Sequence, residues 1–381
     1  MILIHNRYRS DYPSGENIAV ERLSDLLRHT GRPHQTWTQE SDDLLRAGWL
    51  AKGRTAWRLP GHAPRRRAFA ERLAAARASG TTIAHLHNPW PLFTYDVAQA
   101  AHDAGLPIVQ TLHNYRLIGT NTRLVSQGML IRPRHEADHL TLRRMANSHE
   151  RLANVCYNRA LDTLWRQQIP QTRIDAFICL SHFQRGLMQR AGLPDDRLHV
   201  VPNFLDHSGQ VGDGAGDYAL FVGRLDAMKG IDDLMHWWPE DGPPLRIIGS
   251  GPMQHLVNGH PRVTALGRLP FADVQKAMAE ARFVVMNSRW YEPFGLVLIE
   301  ALAAGTPCLV PDLGGMPEII THGSTGLVFP PDDHRSAAAA ARELWDLAPA
   351  MRAACRRSYE ATYTPARHLE QLDAVYRSCR R

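Results

Sequence analysis

The chain has 381 residues, five cysteines and six more basic than acidic side chains. This length exceeds what one hydrophobic core usually serves, so two domains are expected. The cysteines are odd in number and form no C-x-x-C pair, which argues against a disulfide framework and against a zinc site. The sequence shows neither a signal peptide nor a charge-free stretch of membrane-spanning length, so a cytoplasmic protein is expected.

The charge is unevenly divided along the chain. Residues 1–203 carry 27 basic and 17 acidic side chains, a net charge of +10, whereas residues 204–381 carry 17 and 21, a net charge of −4. A basic half followed by an acidic one indicates that the first half meets something anionic. Charge alone leaves nucleic acid, anionic lipid and a phosphorylated acceptor open.

The first residues predict one strand followed by one helix. Residues 1–31 comprise a strand, a loop containing Gly15 and an amphipathic helix from Asn17 to His29. Gly15 either lets the backbone approach a ligand closely or simply begins the helix, and the residues alone favour the second. Trp37 to Pro64 shows only weak periodicity, and Arg65–Ala78 predicts a basic helix.

Two further strands end in the same dipeptide. Ile83–Asn88 and Pro107–Asn114 predict strands that both finish in His-Asn, with a helix over Tyr95–Ala104 between them. A crossover helix makes such strands parallel, so His87 and His113 are expected at neighbouring strand ends. A single histidine at a strand end is more often structural than catalytic, but two at neighbouring ends indicate a site.

The middle of the chain contains a boundary. Asn121–Arg173 carries no clear pattern, and strands are predicted over Ala176–Phe183 and Leu198–Phe204. The polar, glycine-rich residues Ser208–Asp217 are typical of a linker.

A second series of strands and helices follows the linker. Tyr218–Val222 predicts a strand, and a helix begins near Ile231, with Arg224 and Lys229 in the turn between them. Leu245–Pro252 predicts a further strand with a glycine turn, although this signal is not specific alone, and Val263–Pro270 follows it.

The segment Arg282–Gly305 predicts a strand, a loop and a helix. Phe283–Met286 is a short Val-rich run typical of a buried parallel strand. Pro293 and Gly295 are expected to open a helix that ends at Gly305.

Two carboxylates are expected at the start of this helix. Glu292 precedes it, where the amides of Phe294–Val297 lack intrahelical partners and can hold a phosphate or a sugar hydroxyl. Glu300 lies one turn past Leu296, on the same face. Ligands of open α/β sheets bind beyond the carboxyl ends of the strands, so this segment predicts a ligand site.

The amino-acid sequence of this segment resembles that of a known family. EPFGLVLIE, from Glu292 to Glu300, is similar to the two-glutamate signature of retaining GT-B glycosyltransferases of the family 4 group, and the resemblance continues to Pro330, over about forty residues. It implies an α/β fold of the GT-B type, with two Rossmann-like parallel-sheet domains facing a cleft. The absence of G-x-G-x-x-G after either first strand argues against a dinucleotide oxidoreductase.

The resemblance implies domain roles. Residues 1–205 form the expected acceptor-side domain, joined by a crossover helix over 365–381, and residues 206–364 form the expected nucleotide-sugar domain. Glu292 and His113 take the catalytic positions, and His87 is a weaker acceptor-side candidate. The residues expected to bind the nucleotide sugar are Gly15, Arg224, Lys229, Arg268, Leu269, Phe294, Gly295, Leu296, Val297 and Glu300.

The implied activity is transfer of a hexose from a nucleotide-diphosphate sugar, of the UDP-glucose or UDP-N-acetylglucosamine type, to an acceptor hydroxyl with an α-linkage. No metal or cofactor is expected, because Arg224 and Lys229 match the family's diphosphate clamp. A sugar-nucleotide epimerase on the same scaffold and a non-catalytic nucleotide-sugar-binding partner remain alternatives.

The acceptor is expected to be a sugar-linked, lipid-linked or small molecule, and not a nucleic acid. Because the first domain is basic, some of its arginines are expected to face an anionic acceptor or the inner face of the membrane. The candidates are Arg65, Arg66, Arg67, Arg143 and Arg144.

Overall fold

A computed structural model describes residues 1–7, 14–119, 124–126, 129–130, 152–206, 211–213 and 215–379. The chain divides into two compact units. Unit 1 contains Met1–Val201 and Glu370–Arg381, and unit 2 contains Pro202–Leu369. Part of the predicted linker, and Arg143 and Arg144, lie outside the described residues.

Unit 1 is built on a parallel sheet of six strands in the order β2-β1-β3-β4-β7-β8. Its central strands are buried, as expected of a sheet covered by helices on both faces. Two short strands, β5 and β6, pair antiparallel outside this sheet. The strands are β1 (Ile2–Arg7), β2 (Gln35–Glu40), β3 (Ala84–Leu86), β4 (Ile108–Thr111), β5 (Val125–Ser126), β6 (Met129–Leu130), β7 (Ala176–Cys179) and β8 (Leu198–Val200).

Helices connect these strands, and their bounds follow the capping residues. Ser14 accepts a hydrogen bond from the amide of Asn17 and so begins α1, and Ser181 caps α8 in the same way through Gln184. The helices are α1 (Gly15–His29), α2 (Asp42–Arg46), α3 (Trp49–Arg58), α4 (Ala63–Ala78), α5 (Asp96–Asp103), α6 (Leu152–Arg166), α7 (Ile169–Arg173) and α8 (His182–Arg190).

Unit 2 repeats this architecture with a second parallel sheet in the order β11-β10-β9-β12-β13-β14. Numbered within the unit, this is the Rossmann order 3-2-1-4-5-6. Its strands are β9 (Ala219–Val222), β10 (Leu245–Ile248), β11 (Val263–Gly267), β12 (Phe283–Val285), β13 (Cys308–Pro311) and β14 (Gly326–Phe329). Its helices are α9 (Ile231–Trp237), α10 (Gln254–Val257), α11 (Phe271–Glu280), α12 (Leu296–Ala303), α13 (Met316–Ile319), α14 (His334–Thr362) and the start of α15 (Pro365–Ser378).

The two sheets and their helices confirm the predicted α/β class with two Rossmann-like domains. Helix α15 begins in unit 2 and ends in unit 1, because the division falls after Leu369. Its Tyr376 hydroxyl lies 2.7 Å from Nδ1 of His85 in unit 1.

The weakly periodic range from Trp37 to Pro64 contains regular elements. The structure has β2, α2 and α3 in and around this range. Strand β2 lies at the edge of the sheet, and only Trp37 of its six residues is buried. An edge strand with one buried side chain shows no clear alternation, which explains why the pattern was not recognised.

The expectation that Arg65 faces an acceptor or a membrane was wrong. Its guanidinium forms an ion pair with the buried carboxylate of Asp96 at 2.6 Å, and it also donates hydrogen bonds to the carbonyl oxygens of Arg58 and Leu92. Arg66 donates to Gln99. Of the three adjacent arginines only Arg67 is exposed. A buried carboxylate requires a charged partner, so Arg65 is structural.

No helix in the described ranges combines the length and the apolar character needed to cross a bilayer.

Candidate active site

The carboxylate of Glu292 lies at the centre of a hydrogen-bond cluster in unit 2. Its Oε1 accepts from Nζ of Lys229 at 2.5 Å, from the Ser288 hydroxyl at 2.7 Å and from the Trp290 indole at 2.8 Å. Glu292 is 6 % exposed. A buried carboxylate with one cationic and two neutral donors keeps one rotamer, so this oxygen is held in place.

A glycine allows the Glu292 loop to adopt its position. Gly314 has φ +64°, and a Cβ added to it would lie 2.8 Å from both the amide nitrogen and the carbonyl oxygen of Glu292. The amide of Gly315 donates to that same carbonyl at 2.8 Å. The backbone around Glu292 is therefore fixed from the loop after β13.

The turn after β9 brings two cations to this cluster. Asp226 accepts hydrogen bonds from the amides of Met228 and Lys229 and forms an ion pair with Arg224. Lys229 in turn pairs with Glu292, so each cation has a carboxylate partner and the four charged groups sum to zero. The predicted cationic clamp is thus a paired cluster.

The turn after β9 and the loop after β12 are also joined through the backbone. Gly230 has φ +64°, and a Cβ there would lie 2.1 Å from the carbonyl oxygen of Asn287. The Asn287 amide donates to the Gly230 carbonyl oxygen at 2.9 Å, and the amide of Arg289 donates to the carbonyl of Met228.

These two loops meet at the switch point of the sheet. Strands β9 and β12 are neighbours, and the chain leaves β9 for β10 on one side and reaches β12 on the other. In open α/β sheets this is the position at which ligands bind. The switch point places Lys229 and Glu292 together from residues 63 positions apart.

Helix α12 begins later than predicted. Gly295 is its N-cap and Leu296 its first residue, so Pro293 and the amide of Phe294 precede the helix. Phe294 is instead buried against the ring of Tyr363, with ring centroids 6.0 Å apart. The helix geometry leaves the amides of Leu296 and Val297 without intrahelical acceptors, as expected of a first turn.

Glu300 is half-buried on α12, one turn after Leu296. Arg268 and Leu269 directly follow β11, the edge strand of the same sheet, and are exposed and half-exposed. They lie two strands from β9, the strand that leads to the charged cluster.

A row of imidazoles forms the corresponding site in unit 1. Nδ1 of His87 lies 3.0 Å from Nε2 of His113, and their rings are stacked at 5.3 Å. His85 stacks on the other side of His87 at 4.2 Å, and His5 meets His87 edge to face. The sequence predicted only two of these four histidines.

The predicted pair follows the ends of neighbouring strands. His87 comes directly after β3 and His113 two residues after β4. His85 shares a face of β3 with His87, since alternate residues of a strand point to one side. This two-residue spacing was the signal that could have revealed His85.

Burial keeps two members of the imidazole row, His5 and His113, uncharged. Burial, with a smaller contribution from the nearby His5 and His85 rings, lowers the pKa of His113 to about 3. Burial likewise lowers the pKa of His5 to about 4, opposed by the hydrogen bond to Asn17. A neutral imidazole can accept a hydrogen bond, but pKa values this low make both rings poor proton acceptors near neutral pH.

Gly15 is exposed as the first residue of α1, where Ser14 caps the helix. The following residue, Glu16, was not singled out in the sequence. Its carboxyl accepts from the Asn114 side chain at 3.3 Å, and burial raises its pKa to about 7 against the influence of Arg116. Strands β1 and β3 flank the switch point of unit 1. Glu16 lies in the segment after β1 and His87 directly after β3, so both residues belong to the loops and helix starts at this switch point.

The fold and these loops define a GT-B protein, and comparison with known proteins gives the family. The family model described as Glycosyltransferase Family 4 matches residues 13–208, just over half of the chain. A second model, described as Glycosyl transferases group 1, matches residues 216–346. The chain belongs to glycosyltransferase family 4.

Individual relatives agree with this assignment. The chain is similar to glycogen synthase of Mycobacterium tuberculosis, with 36 % identity over 139 residues that cover 33 % of each chain. It therefore spans about a third of the length of this curated relative.

Solved structures extend the similarity of fold to the whole chain. Sucrose-phosphate synthase of Thermosynechococcus elongatus has a TM-score of 0.69 at 20 % identity and covers 99 % of this chain and 98 % of its own. Anabaena HepE in complex with UDP has a TM-score of 0.65 at 16 % identity and covers 99 % of both chains. HepE has also been solved in complex with UDP-glucose.

Proposed function

We propose that this protein is a retaining glycosyltransferase that moves a hexose from a UDP-sugar, of the UDP-glucose or UDP-N-acetylglucosamine type, to an acceptor hydroxyl. The observation that carries this proposal is the contact between Lys229 and Glu292 at the switch point of unit 2. It joins a cation suited to a diphosphate to a carboxylate suited to a sugar. The complexes of HepE with UDP and UDP-glucose support the choice of donor.

Binding of the nucleotide sugar replaces two ion pairs of the protein, Arg224–Asp226 and Lys229–Glu292, by contacts to the diphosphate. The diphosphate takes Lys229 and Arg224 from their carboxylates, and the first amides of α12 donate to the donor's oxygens. Glu292 then accepts hydrogen bonds from sugar hydroxyls in place of Lys229. A carboxylate held by Ser288 and Trp290 stabilises the positive charge that develops on the sugar ring without reorganising.

The transfer conserves atoms and protons. The bond from C1 to the diphosphate oxygen breaks, and the acceptor oxygen bonds to C1 on the same face. The acceptor proton passes to the departing diphosphate oxygen. Glu300 is proposed to bind the ribose, Arg268 and Leu269 the base, and Gly15 the donor phosphates.

The imidazole row of unit 1 is proposed to meet the reacting hydroxyls. A small pocket there, of about 20 Å³, is lined by His87, His113, Gln110 and Arg116, among others. Uncharged His113 accepts a hydrogen bond from a hydroxyl, and His87 fixes the orientation of its ring. Transfer needs no metal in this proposal, because the cations and helix amides supply the positive field.

The test is release of nucleoside diphosphate from a panel of UDP-, GDP- and ADP-sugars, with and without acceptors. Acceptors from three classes, a sugar phosphate, a hydroxy acid and a lipid diphosphate, bracket the unknown substrate. A glycosyltransferase releases the diphosphate only when its acceptor is present and retains activity in EDTA. Epimerised donor without acceptor-dependent release identifies the epimerase alternative, and binding without either reaction identifies a partner protein.

A further inference from the structure

Helix α3 exposes its large apolar side chains. Trp49 is 80 % exposed, Leu50 67 % and Trp57 72 %, which are the three highest values for large apolar residues in the described ranges. The other seven tryptophans are buried or half-buried. A helix of a globular protein normally turns its apolar stripe to the core, so the orientation of α3 is inverted.

The exposed side chains form one face with cations on both flanks. At about 100° per residue, Trp49, Trp57 and Leu50 fall within an arc of about 100°. Lys52 lies about 60° outside one edge of the arc, and Arg54 about 40° outside the other. Both cations are exposed. An apolar face flanked by basic side chains is typical of helices that lie in a membrane interface.

The surrounding sequence has the matching charge. Between Asp43 and Glu71 there is no acidic residue, and Trp49, Leu50 and Trp57 lie within this stretch. The exposed basic residues of the stretch are Arg46, Lys52, Arg54 and Arg67, whereas the charge of Arg65 is neutralised by Asp96. Such a segment complements an anionic surface.

The orientation of α3 is held by the rest of unit 1. Arg65 donates to the carbonyl oxygen of Arg58, the last residue of α3, while its own charge is paired with Asp96. Leu59, directly after the helix, is 4 % exposed and anchors its end in the core. The outward direction of the apolar face is therefore part of the fold.

We propose that α3 inserts this face into the interface of an anionic lipid bilayer. The tryptophans lie at the level of the headgroups, where their amphipathic rings are favoured. Lys52 and Arg54 extend to the lipid phosphates. Apolar insertion and charge together supply the two contributions that stable attachment requires. This surface differs from the arginine cluster that the sequence suggested, and it goes beyond the proposed transfer reaction.

The test is flotation of the full chain with vesicles of phosphatidylcholine alone or with an equimolar amount of phosphatidylglycerol. The protein binds the anionic vesicles, and binding weakens by about tenfold or more in about 1 M salt, where the Debye length is about 3 Å. Brominated lipids quench tryptophan fluorescence, which reports insertion directly. Trp49→Ala with Trp57→Ala removes both binding and quenching, and Lys52→Gln with Arg54→Gln weakens binding by about tenfold or more.

Matched variants in unit 2 serve as controls. Phe271→Ala with Leu347→Ala removes exposed apolar side chains, and Arg335→Gln with Arg357→Gln removes the same charge; neither changes vesicle binding. Wild-type protein that does not float with anionic vesicles, or a double tryptophan variant that floats equally well, overturns the proposal. A tryptophan variant that only converts a dimer to a monomer assigns the face to a second copy of the chain. Vesicle binding is measured without donor, so its failure leaves the transferase proposal standing.

Discussion

At the residue scale, the carboxylates of Glu292 and Glu300 have different surroundings. Glu292 is buried and receives three donors on one oxygen, whereas Glu300 is half-buried on the helix that follows. The first is suited to stabilising charge that develops during reaction, and the second to binding.

This difference predicts opposite kinetic effects for the two glutamates. Glu292→Gln lowers kcat by about a hundredfold or more, because it removes a charge placed against the transition state, while donor KM changes little. Glu300→Gln raises donor KM with a smaller effect on kcat. Steady-state kinetics distinguish the two, with the exposed Glu343→Gln as the control.

The Glu292→Gln variant also tests the role of the Lys229–Glu292 ion pair in nucleotide binding. Without its carboxylate partner Lys229 is free to bind phosphate, so Glu292→Gln binds UDP at least as tightly as the wild type in calorimetry. Weakened UDP binding together with unchanged kcat contradicts the assigned roles.

A second residue-scale prediction concerns Glu16, whose folded-state pKa of about 7 lies above its ordinary value of 4.5. Its contribution to stability is present below pH 4.5 and is lost as the pH rises through 7. Gln cannot ionise, so Glu16→Gln becomes more stable relative to the wild type as the pH rises from 5 to 8. Thermal unfolding at both pH values measures this difference.

The buried histidines change the pH dependence of stability in the direction opposite to Glu16. The folded-state pKa values of His5 and His113 are about 4 and 3, below the ordinary value of 6.5. Their contribution to the stability of the fold is present above pH 6.5 and is lost as the pH falls toward 4 and 3. A Glu16→Gln advantage that is independent of pH shows that the carboxyl does not titrate as described.

The sequence identified the charged residues of unit 2 but not their pairing. Lys229 and Glu292 were predicted to serve one ligand, and the switch point of the sheet makes them contact. Asp226, Ser288 and Trp290 were not predicted, because side chains that hold a functional group carry no local pattern. Their roles follow only from the geometry of the folded loops.

At the element scale, glycines let the loops approach closely. Gly314 and Gly323 both have positive φ, +64° and +76°. Only Gly314 lies against the Glu292 backbone, whereas a Cβ at Gly323 meets nothing within 4 Å. Substitutions at these two glycines therefore distinguish the effect of backbone strain from the effect of displacing the Glu292 loop.

Gly314→Ala is predicted to lower kcat by about tenfold or more, because the loop that carries Glu292 must shift to accept the new Cβ. Gly323→Ala incurs the strain of positive φ, about 1 kcal/mol, without a change in kcat. Thermal unfolding measures the loss of stability in both variants, and steady-state kinetics measure the change in kcat. Equal losses of activity indicate that strain alone, and not the position of Glu292, is responsible.

Elements were predictable where burial gives a clear pattern. The central strands β9 and β12 agree with their predicted positions to within one residue, because both are fully apolar runs between turns. The start of α12 was misplaced because Phe294 packs into the core, a tertiary contact that overrides the local helix signals. Edge strand β2 was missed for the opposite reason, since it buries only Trp37.

At the scale of the whole molecule, the chain returns to unit 1 at its end. Residues Leu372, Val375 and Tyr376 of α15 are each less than 5 % exposed. Asp373 forms an ion pair with Arg32 of unit 1 at 2.5 Å. The closing helix is therefore part of the core of unit 1.

A stop codon after Leu369 is predicted to destabilise unit 1, since each buried large apolar side chain contributes about 1.5–3 kcal/mol. Limited proteolysis then cleaves residues 1–201 faster, while unit 2 keeps its resistance. A stop after Cys379 is the control, because it keeps these contacts. Unchanged resistance of unit 1 in the shorter chain contradicts the assignment of the helix to its core.

The overall charge asymmetry was visible in the sequence, but the surface that we propose for membrane binding was not. The sequence pointed to Arg65, which the fold pairs with a buried carboxylate. Helix α3 carries fewer cations, yet it exposes Trp49 and Trp57. Exposure is a property of the folded chain and cannot be read from composition.

The most direct test of the proposed reaction is the anomeric configuration of its product. Wild-type protein and Glu292→Gln are incubated with a UDP-α-sugar and the acceptor found in the donor panel, and the product is analysed by proton NMR. Retention predicts an α product, with a small coupling between H1 and H2 of a glucose-type sugar, formed about a hundredfold or more slowly by the variant. A β product, or equal rates for the two proteins, contradicts a retaining transfer assisted by Glu292.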